Sequence, residues 1–185
     1  MVLPNSTITQ SGVGVLACAD PFFAILRRGA GIVAVKANLK AIIDALEAQT
    51  DESRSFFDPD TGEVYQVSLE MIGAAEDGEE DPDIPEWQEP EWELAKRIVA
   101  SDRILPLPTK FDVDEWEIMN EFSASVEKIA VRNDLLDAIH GPGAFRSFKS
   151  AIRRHRIEQD WHDFRDQALR DIAAEWCKEN DIPTE

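Results

Sequence analysis

No other sequence in this chain limits its fold as strongly as the Gly-Pro-Gly at residues 141–143. Apolar residues at helical spacing precede it, and Phe145, Phe148 and Ile152 resume that spacing after it. We expect Gly141 to end one helix in a left-handed conformation, which glycine adopts without a steric clash. Proline blocks continuation of that helix, so a new helix should begin near residue 143 and point Phe145 and Phe148 into the core.

Helical periodicity marks the rest of the C-terminal half as well. Asp112 followed by Glu115 is a variant of the capping box and predicts the start of a helix. A last helix is expected from about Asp160 to Asn180. The apolar stripes are Trp116, Met119, Phe122 and Val126 in the first of these helices, and Trp161, Phe164, Ala168, Ile172 and Trp176 in the last. We expect the three aromatic residues of the last helix to be buried against Phe145 or Phe148.

The N-terminal half combines a helix with a β-hairpin. The helix is predicted after residue 35 by apolar residues at helical spacing, namely Leu39, Ile42, Ile43 and Leu46. Two β-prone runs, 55–57 and 64–67, flank the sequence Asp58–Gly62, which is typical of a turn. The predicted fold class is α+β, mainly α, with a C-terminal helical bundle joined to a small N-terminal helix plus β-hairpin.

Composition divides the chain into four segments. Residues 1–33 are rich in glycine and small side chains and are expected to be an N-terminal extension, whose order the sequence does not determine. Residues 34–75 hold the helix and hairpin, and residues 76–90 are predicted to be an acidic, proline-containing linker. Residues 91–185 make up the predicted helical domain.

Acidic residues dominate the charge of the chain, with 37 Asp and Glu against 19 Lys and Arg, a net of −18. Residues 76–121 hold 16 acids and 4 bases, so that quarter of the chain carries −12 of the total. Such a field repels nucleic acid and anionic membranes, so neither is predicted as a direct partner. It either keeps a solvated surface soluble, attracts a basic protein, or imitates the charge of nucleic acid.

The two cysteines, Cys18 and Cys177, are too few for a disulfide framework or a zinc site. Cys177 follows Trp176 in a helical stripe and is expected to be a reduced, partly buried thiol. Residues 15–18 resemble a lipoprotein cleavage box, but no Lys or Arg precedes them and polar residues interrupt the apolar run. No stretch approaches the ~20 apolar residues of a membrane span. We therefore expect a cytoplasmic protein.

Signatures of catalysis are absent from the sequence. There is no G-x-S-x-G, H-E-x-x-H or C-x-x-C. His162, with Asp163 and Asp166 nearby, has metal-binding side chains within one turn, but this pattern is common on acidic helix surfaces. We assign no catalytic residue, no metal and no cofactor.

One dense basic segment, residues 146–156, stands out in this acidic chain because it contains no Asp or Glu. A free helix N-terminus beside basic side chains favours anions, and the candidate anion-binding residues are Gly143, Arg146, Lys149 and Arg153. The spacing of a P-loop is missing. The alternative is that these bases pair with the protein's own carboxylates, and that the glycines only form a turn.

The run LLDAIHGPGAFRSFKSAIRRHRIEQDWHDFRDQALRDIAAEWCKEN, together with SFFDPDTGEVYQVS, carries a resemblance. Over about residues 35–182 the chain resembles an uncharacterised bacterial protein family of unknown function, one of the UPF families. The resemblance implies a small soluble bacterial protein and a single structural unit containing hairpin, linker and helices. It implies no activity and no catalytic residues.

The function predicted from these observations is a non-catalytic protein-binding or regulatory module, with a protein, such as a basic one, as its partner. One alternative is an enzyme that acts on a small anionic substrate, phosphorylated or carboxylate, at the helix start after Gly143. Another is an acidic mimic of nucleic acid. The module requires an exposed apolar or charged patch, whereas the enzyme requires a pocket that joins Arg146 or Lys149 to a buried carboxylate or histidine.

Overall fold

Helices account for most of the chain that the computed structural model describes, which is residues 35–78 and 84–184. The helices are α1 (Leu39–Ala48), α2 (Leu69–Glu76), α3 (Glu89–Val99), α4 (Lys110–Val113), α5 (Glu115–Ser125), α6 (Ile129–Ala138), α7 (Ala144–His155) and α8 (Glu158–Glu179), with a 3₁₀ turn at Glu86–Gln88. The strands are β1 (Ser53–Asp58), β2 (Glu63–Ser68) and β3 (Leu105–Pro106). The predicted mainly helical α+β fold is confirmed. The predicted extension at residues 1–33, with Cys18, lies outside the described residues.

The three strands form one antiparallel sheet in the order β2-β1-β3. The predicted hairpin is confirmed, and β1 and β2 pair along all six residues of each strand. Gly62 closes the turn with φ of +77°, and a Cβ at this position would lie 2.9 Å from Cγ1 of Val35. Strand β3, which belongs to the predicted helical segment 91–185, pairs with β1 of the predicted segment 34–75.

The sheet separates two hydrophobic cores, because neighbouring residues of a strand face opposite sides. Phe57 of β1 is fully buried in the larger core, which it shares with residues of α1 and of α5 to α8. Phe56, the residue before it, belongs to a smaller core with Val67 and with Trp92 of α3. Helix α2 contributes Ile72 to this second core, although its sequence did not predict a helix.

The Gly-Pro-Gly turn is confirmed. Gly141 has φ of +81° and Gly143 has φ of +80°, both in the left-handed region. Pro142 lies between them, so the chain leaves α6 and enters α7 within a few residues. The antiparallel helices α6 and α7 that result form one side of the C-terminal bundle, which α5 and α8 complete.

An aromatic cluster fills the centre of this bundle. Phe148 of α7 is fully buried, and its ring packs edge-to-face against Phe122 of α5 and Trp161 of α8, with centroid distances of 6.1 and 4.8 Å. Phe164 of α8 is half-buried and lies against Phe122 at 5.5 Å. The predicted burial of Trp161 against Phe148 is therefore confirmed.

Phe164 is thus only half-buried and packs on Phe122, not on Phe145 or Phe148 as predicted, and two other aromatic side chains also lie elsewhere than predicted. Trp176 is buried but packs on Phe57 of the sheet, at 5.9 Å between ring centroids. Helix α8 has 22 residues and α7 only 12, so the last turns of α8 extend past the bundle to the sheet. The prediction that Phe145 points into the core is wrong: it is 46% exposed, because it lies in the first turn of α7, at the end of the bundle.

The predicted helix start at Asp112 is also wrong in detail. Thr109 caps the short helix α4, and its backbone N–H and hydroxyl both donate to Oδ2 of Asp112 at 2.7 Å. Asp114 then adopts φ of 34° and caps α5 by accepting a hydrogen bond from the N–H of Glu117 at 3.1 Å. This stretch therefore contains two N-caps, Thr109 and Asp114, for two successive helices. The sequence pattern alone does not show where the first helix ends and the second begins.

Candidate functional site

The predicted anion-binding residues lie on the first three turns of α7. Gly143 is the N-cap of α7 and has no side chain that could accept a hydrogen bond from the first N–H groups of the helix. The first turn of α7 also carries no acidic residue. The carbonyl of Gly143 accepts a hydrogen bond from Ser147 at 3.0 Å, as expected of a normal first turn. The last turn holds Arg153, Arg154 and His155. Positive side chains at this end interact favourably with the negative end of the helix dipole.

Arg146 lines a shallow groove of about 430 Å³ between α6 and α7. The other residues of the groove are Asp134, Asp137, Ala138, Ser147, Ser150 and Arg154. Two carboxylates from α6 therefore share the groove with two guanidinium groups from α7. Among the described residues Arg146 makes no ion pair within 4.0 Å.

Asp134 is the best-connected carboxylate of this groove. Its Oδ2 accepts hydrogen bonds from Arg154 and lies 2.7 Å from Nε2 of His155. These hydrogen bonds, first that of Arg154 and then that of His155, lower the pKa of Asp134 below its ordinary value. The carboxylate stays ionised at neutral pH and ties α6 to the C-terminal end of α7.

The other two predicted bases point elsewhere. Nζ of Lys149 lies 4.2 Å from the centroid of the Phe145 ring, a cation–π contact at the protein surface. Arg153 pairs with Glu158 at the start of α8, with 3.3 Å between Nε and Oε1. The structure thus places one predicted base in the groove, one on an exposed aromatic ring and one in a surface ion pair. Anion binding at the start of α7 stays a prediction.

Three exposed aromatic side chains lie within or at the start of α4, α5 and α7. The indole Nε1 of Trp116 donates to the carbonyl of Ile139 at 3.1 Å, which joins the start of α5 to the end of α6. The glycine turn then leads directly into Phe145. Phe111 belongs to α4, which a single residue separates from α5. We call Phe111, Trp116 and Phe145, with Lys110 and Lys149, the turn-end surface.

The aromatic residues of the turn-end surface are unusually exposed for their size. Phe111 is 81% exposed, Phe145 is 46% exposed and Trp116 is 43% exposed. Nζ of Lys110 lies 5.1 Å from the Phe111 ring, so each exposed phenylalanine has a lysine over one face. Large exposed apolar side chains bordered by polar groups are typical of protein-binding surfaces.

An ion cluster beneath this surface fixes α5 and α8 relative to α1. Arg165 donates from Nε and Nη2 to Oε1 of Glu115, at 3.0 and 2.6 Å, and from Nη1 to Glu47. Burial alone lowers the pKa of Arg165, but the hydrogen bonds to Glu115 and Glu47 outweigh it and raise the pKa. Oε2 of Glu115 is buried and has no hydrogen-bond partner in the described part of the chain. The start of α5, and Trp116 with it, is therefore held firmly.

The sequence did not predict the exposure of any of these three aromatic residues, since Phe145 was expected in the core. Trp116 was assigned to an apolar face, and it does lie on α5, but its ring bonds to the carbonyl of Ile139 and is only half-covered. Phe111 lies in a helix of four residues, too short to bury a side chain of that size on its own. The usable signal was local: Phe111 is flanked by Lys110 and Asp112, which are typical of a solvated turn.

Metal and membrane sites are not apparent in the structure. Across residues 35–78 and 84–184, no group of three or more His, Cys, Asp and Glu side chains is arranged to hold a metal ion. In the same residues no helix combines the length and apolar character needed to span a membrane.

The fold and the turn-end surface define a mainly helical α+β protein with an exposed aromatic end. The chain belongs to the Uncharacterised protein family (UPF0158), whose family model matches residues 34–184. It is similar to the UPF0158 protein PA5073 of Pseudomonas aeruginosa, at 27% identity over 82 residues, which is 44% of this chain. That match spans about half of the relative, 54% of its length. No solved structure matches the chain.

Proposed function

We propose that this protein is a non-catalytic protein-binding module and that the turn-end surface contacts its partner. The observation that carries the proposal is the exposure of Phe111, Trp116 and Phe145, three large aromatic side chains. Large aromatic side chains left in water are unfavourable to the free protein unless a partner covers them. We place the interaction in the cytoplasm, where the buried thiol of Cys177 stays reduced.

The chemistry of the surface favours a protein over a small ligand. Aromatic residues are enriched at the centres of protein interfaces, where they supply much of the binding energy. Trp116 keeps its indole N–H occupied by Ile139, so its ring offers an apolar contact with no unpaired donor. Lys149, which stacks on Phe145, would form part of the rim and bond to a carboxylate or carbonyl of the partner, whereas Lys110 already pairs with Asp51.

Site-specific photocrosslinking in the native host tests this proposal. A benzophenone amino acid would replace Phe111 in one variant and Phe145 in a second. Ile129 and Val99 are 69% and 40% exposed, lie at the start of α6 and the end of α3, and serve as control positions. We expect one common cross-linked protein from positions 111 and 145 and none of it from positions 129 and 99. Equal cross-linking from all four positions would contradict the proposal.

Alanine variants give a quantitative check once that partner is purified. Phe111→Ala should weaken binding by about 5–30-fold, the effect of losing ~1–2 kcal/mol at an interface. The thermal stability of the variant should stay close to that of the wild type, since the side chain is mostly in solvent.

A further inference from the structure

Strand β2 lies at the edge of the sheet, and the directions of its backbone groups follow from two hydrogen bonds. Leu107 donates to the carbonyl of Ser55 at 2.9 Å, so Ser55 faces β3 and turns away from β2. Ser68 donates its N–H to Oε1 of Glu91 at 2.7 Å and so faces away from β1. Because backbone groups alternate in direction along an antiparallel strand, those of Val64 and Gln66 must also face away from β1.

Within residues 35–78 and 84–184, these outward groups leave the edge unpaired. The backbone N–H and C=O groups of Val64 and Gln66 point away from β1. Among the described residues, these groups have no hydrogen-bond partner. The strand is six residues long and contains neither proline nor lysine, which commonly protect an edge against pairing. The carboxylate of Glu91 occupies the last position, where a neighbouring strand would otherwise place a carbonyl.

A groove of about 520 Å³ runs along this edge. It is lined by Ser53, Gln66, Val67, Ser68, Pro90, Glu91 and Leu94. Gln66 and Val67 point to opposite faces of the sheet, so a groove that touches both lies at the strand edge. Pro90 and Leu94 form an apolar wall and Glu91 supplies a carboxylate, which together suit the long methylene chain and charged end of a Lys or Arg side chain.

The charge around the edge selects the kind of partner. Strand β2 and the first turn of α3 carry Glu63, Glu89 and Glu91 and no Lys or Arg. Arg97, further along α3, stacks on the Tyr65 ring of β2 and is paired with Asp58. We propose that the β2 edge accepts an extended, basic segment of a partner protein as a fourth strand. The outward groups of Val64 and Gln66 would bond to its backbone, as in other cases of strand addition. A Lys or Arg of the segment would lie in the groove, with its charge at Glu91.

This inference does not depend on the turn-end surface, and a synthetic peptide tests it. The probe is an eight-residue peptide of alternating Lys and Val, and its counterpart of alternating Glu and Val is the control. Amide hydrogen exchange is followed by NMR with and without each peptide. We expect the basic peptide to slow exchange at Val64 and Gln66 by at least tenfold, because both N–H groups gain an acceptor. Tyr65 and Val67 already face β1 and should change less.

Variants of the edge separate strand addition from mere charge attraction. Gln66→Pro removes the outward N–H and spares the pairing with β1, whereas the matched Gln66→Ala removes only the side chain, which bonds to Ser53 and Ala48. We expect the basic peptide to bind Gln66→Ala but not Gln66→Pro. If Gln66→Pro fails to fold, Glu91→Gln decides, since it keeps an acceptor for Ser68 and should weaken peptide binding by at least fivefold.

Three results would overturn the inference. The first is unchanged exchange at Val64 and Gln66 at millimolar basic peptide. The second is equal protection by the acidic peptide. The third is protection that rises with protein concentration in the absence of peptide, accompanied by dimers in sedimentation, which would assign the edge to a second copy of this chain.

Discussion

Replacing Phe148 by alanine measures how much the aromatic cluster contributes to the fold. Phe148 is fully buried and packs edge-to-face on Phe122 and Trp161. Burial of such a side chain contributes about 1.5–3 kcal/mol, and each edge-to-face pair adds about 0.5–1.5 kcal/mol. Together with the cavity left behind, we expect Phe148→Ala to lower the free energy of unfolding by about 3–5 kcal/mol.

Urea denaturation followed by tryptophan fluorescence gives this free energy directly, because Trp161 lies in contact with the mutated site. The melting temperature should fall by about 6–20 °C, at roughly 2–4 °C per kcal/mol for a domain of this size. The denaturant dependence of the unfolding free energy should stay constant, which shows that the native state is weakened and not rearranged.

The matched control is Phe145→Ala, three residues earlier on the same helix. Phe145 is about half exposed and contacts Lys149, so its loss should change the free energy of unfolding by less than about 1 kcal/mol. Similar losses from both variants would refute the packing described for α7. A loss below about 1 kcal/mol for Phe148→Ala would refute it as well.

Three further predictions concern the backbone and two titratable groups. Gly141→Ala should cost about 1–2 kcal/mol of unfolding free energy, because φ at this position is +81°. Gly73→Ala, inside α2 with open space around it, should instead add about 0.5–1 kcal/mol in the same urea assay. The pKa of Asp134 is lowered chiefly by Arg154, so its stabilising effect is present above the ordinary pKa of about 3.9 and disappears as the pH falls through the lower, folded-state pKa. Between pH 5 and pH 3, the free energy of unfolding should therefore fall less in Asp134→Asn than in the wild type, as denaturation at both pH values would show. Burial raises the pKa of Cys177, so iodoacetamide at pH 8 should modify it at least tenfold more slowly in the native protein than in urea, as mass spectrometry of its peptide would show.

Local signals in the sequence were sufficient wherever one stretch of chain determines its own structure. The turn at Asp58–Gly62 and the break at Gly141 both depend on glycine at a positive φ, and both are confirmed. The long apolar stripe of α8 was also recognisable, because its period is that of a helix over many residues. Helix α2, by contrast, has eight residues and a weak stripe, although Ser68 is a suitable N-cap.

Features that depend on distant neighbours were not predictable in this way. Periodicity places Phe145 and Phe148 on similar faces of α7, but it does not show that the first turn lies at the end of the bundle. Strand β3 has two residues and exists only because β1 lies beside it. The open edge of β2 likewise follows from the strand order, which no local pattern in the sequence determines.

The assignment of Phe56 and Phe57 to opposite cores also limits how the length of this chain can change in evolution. Adding or removing one residue within β1 would exchange the two faces of the strand. Phe56, which belongs to the core of Trp92, would then lie beside Trp176. In other members of the family, we therefore expect length changes within β1 to occur in even numbers. Single-residue changes should be confined to the Pro59–Gly62 turn, which lies outside the paired strands and leaves their parity intact.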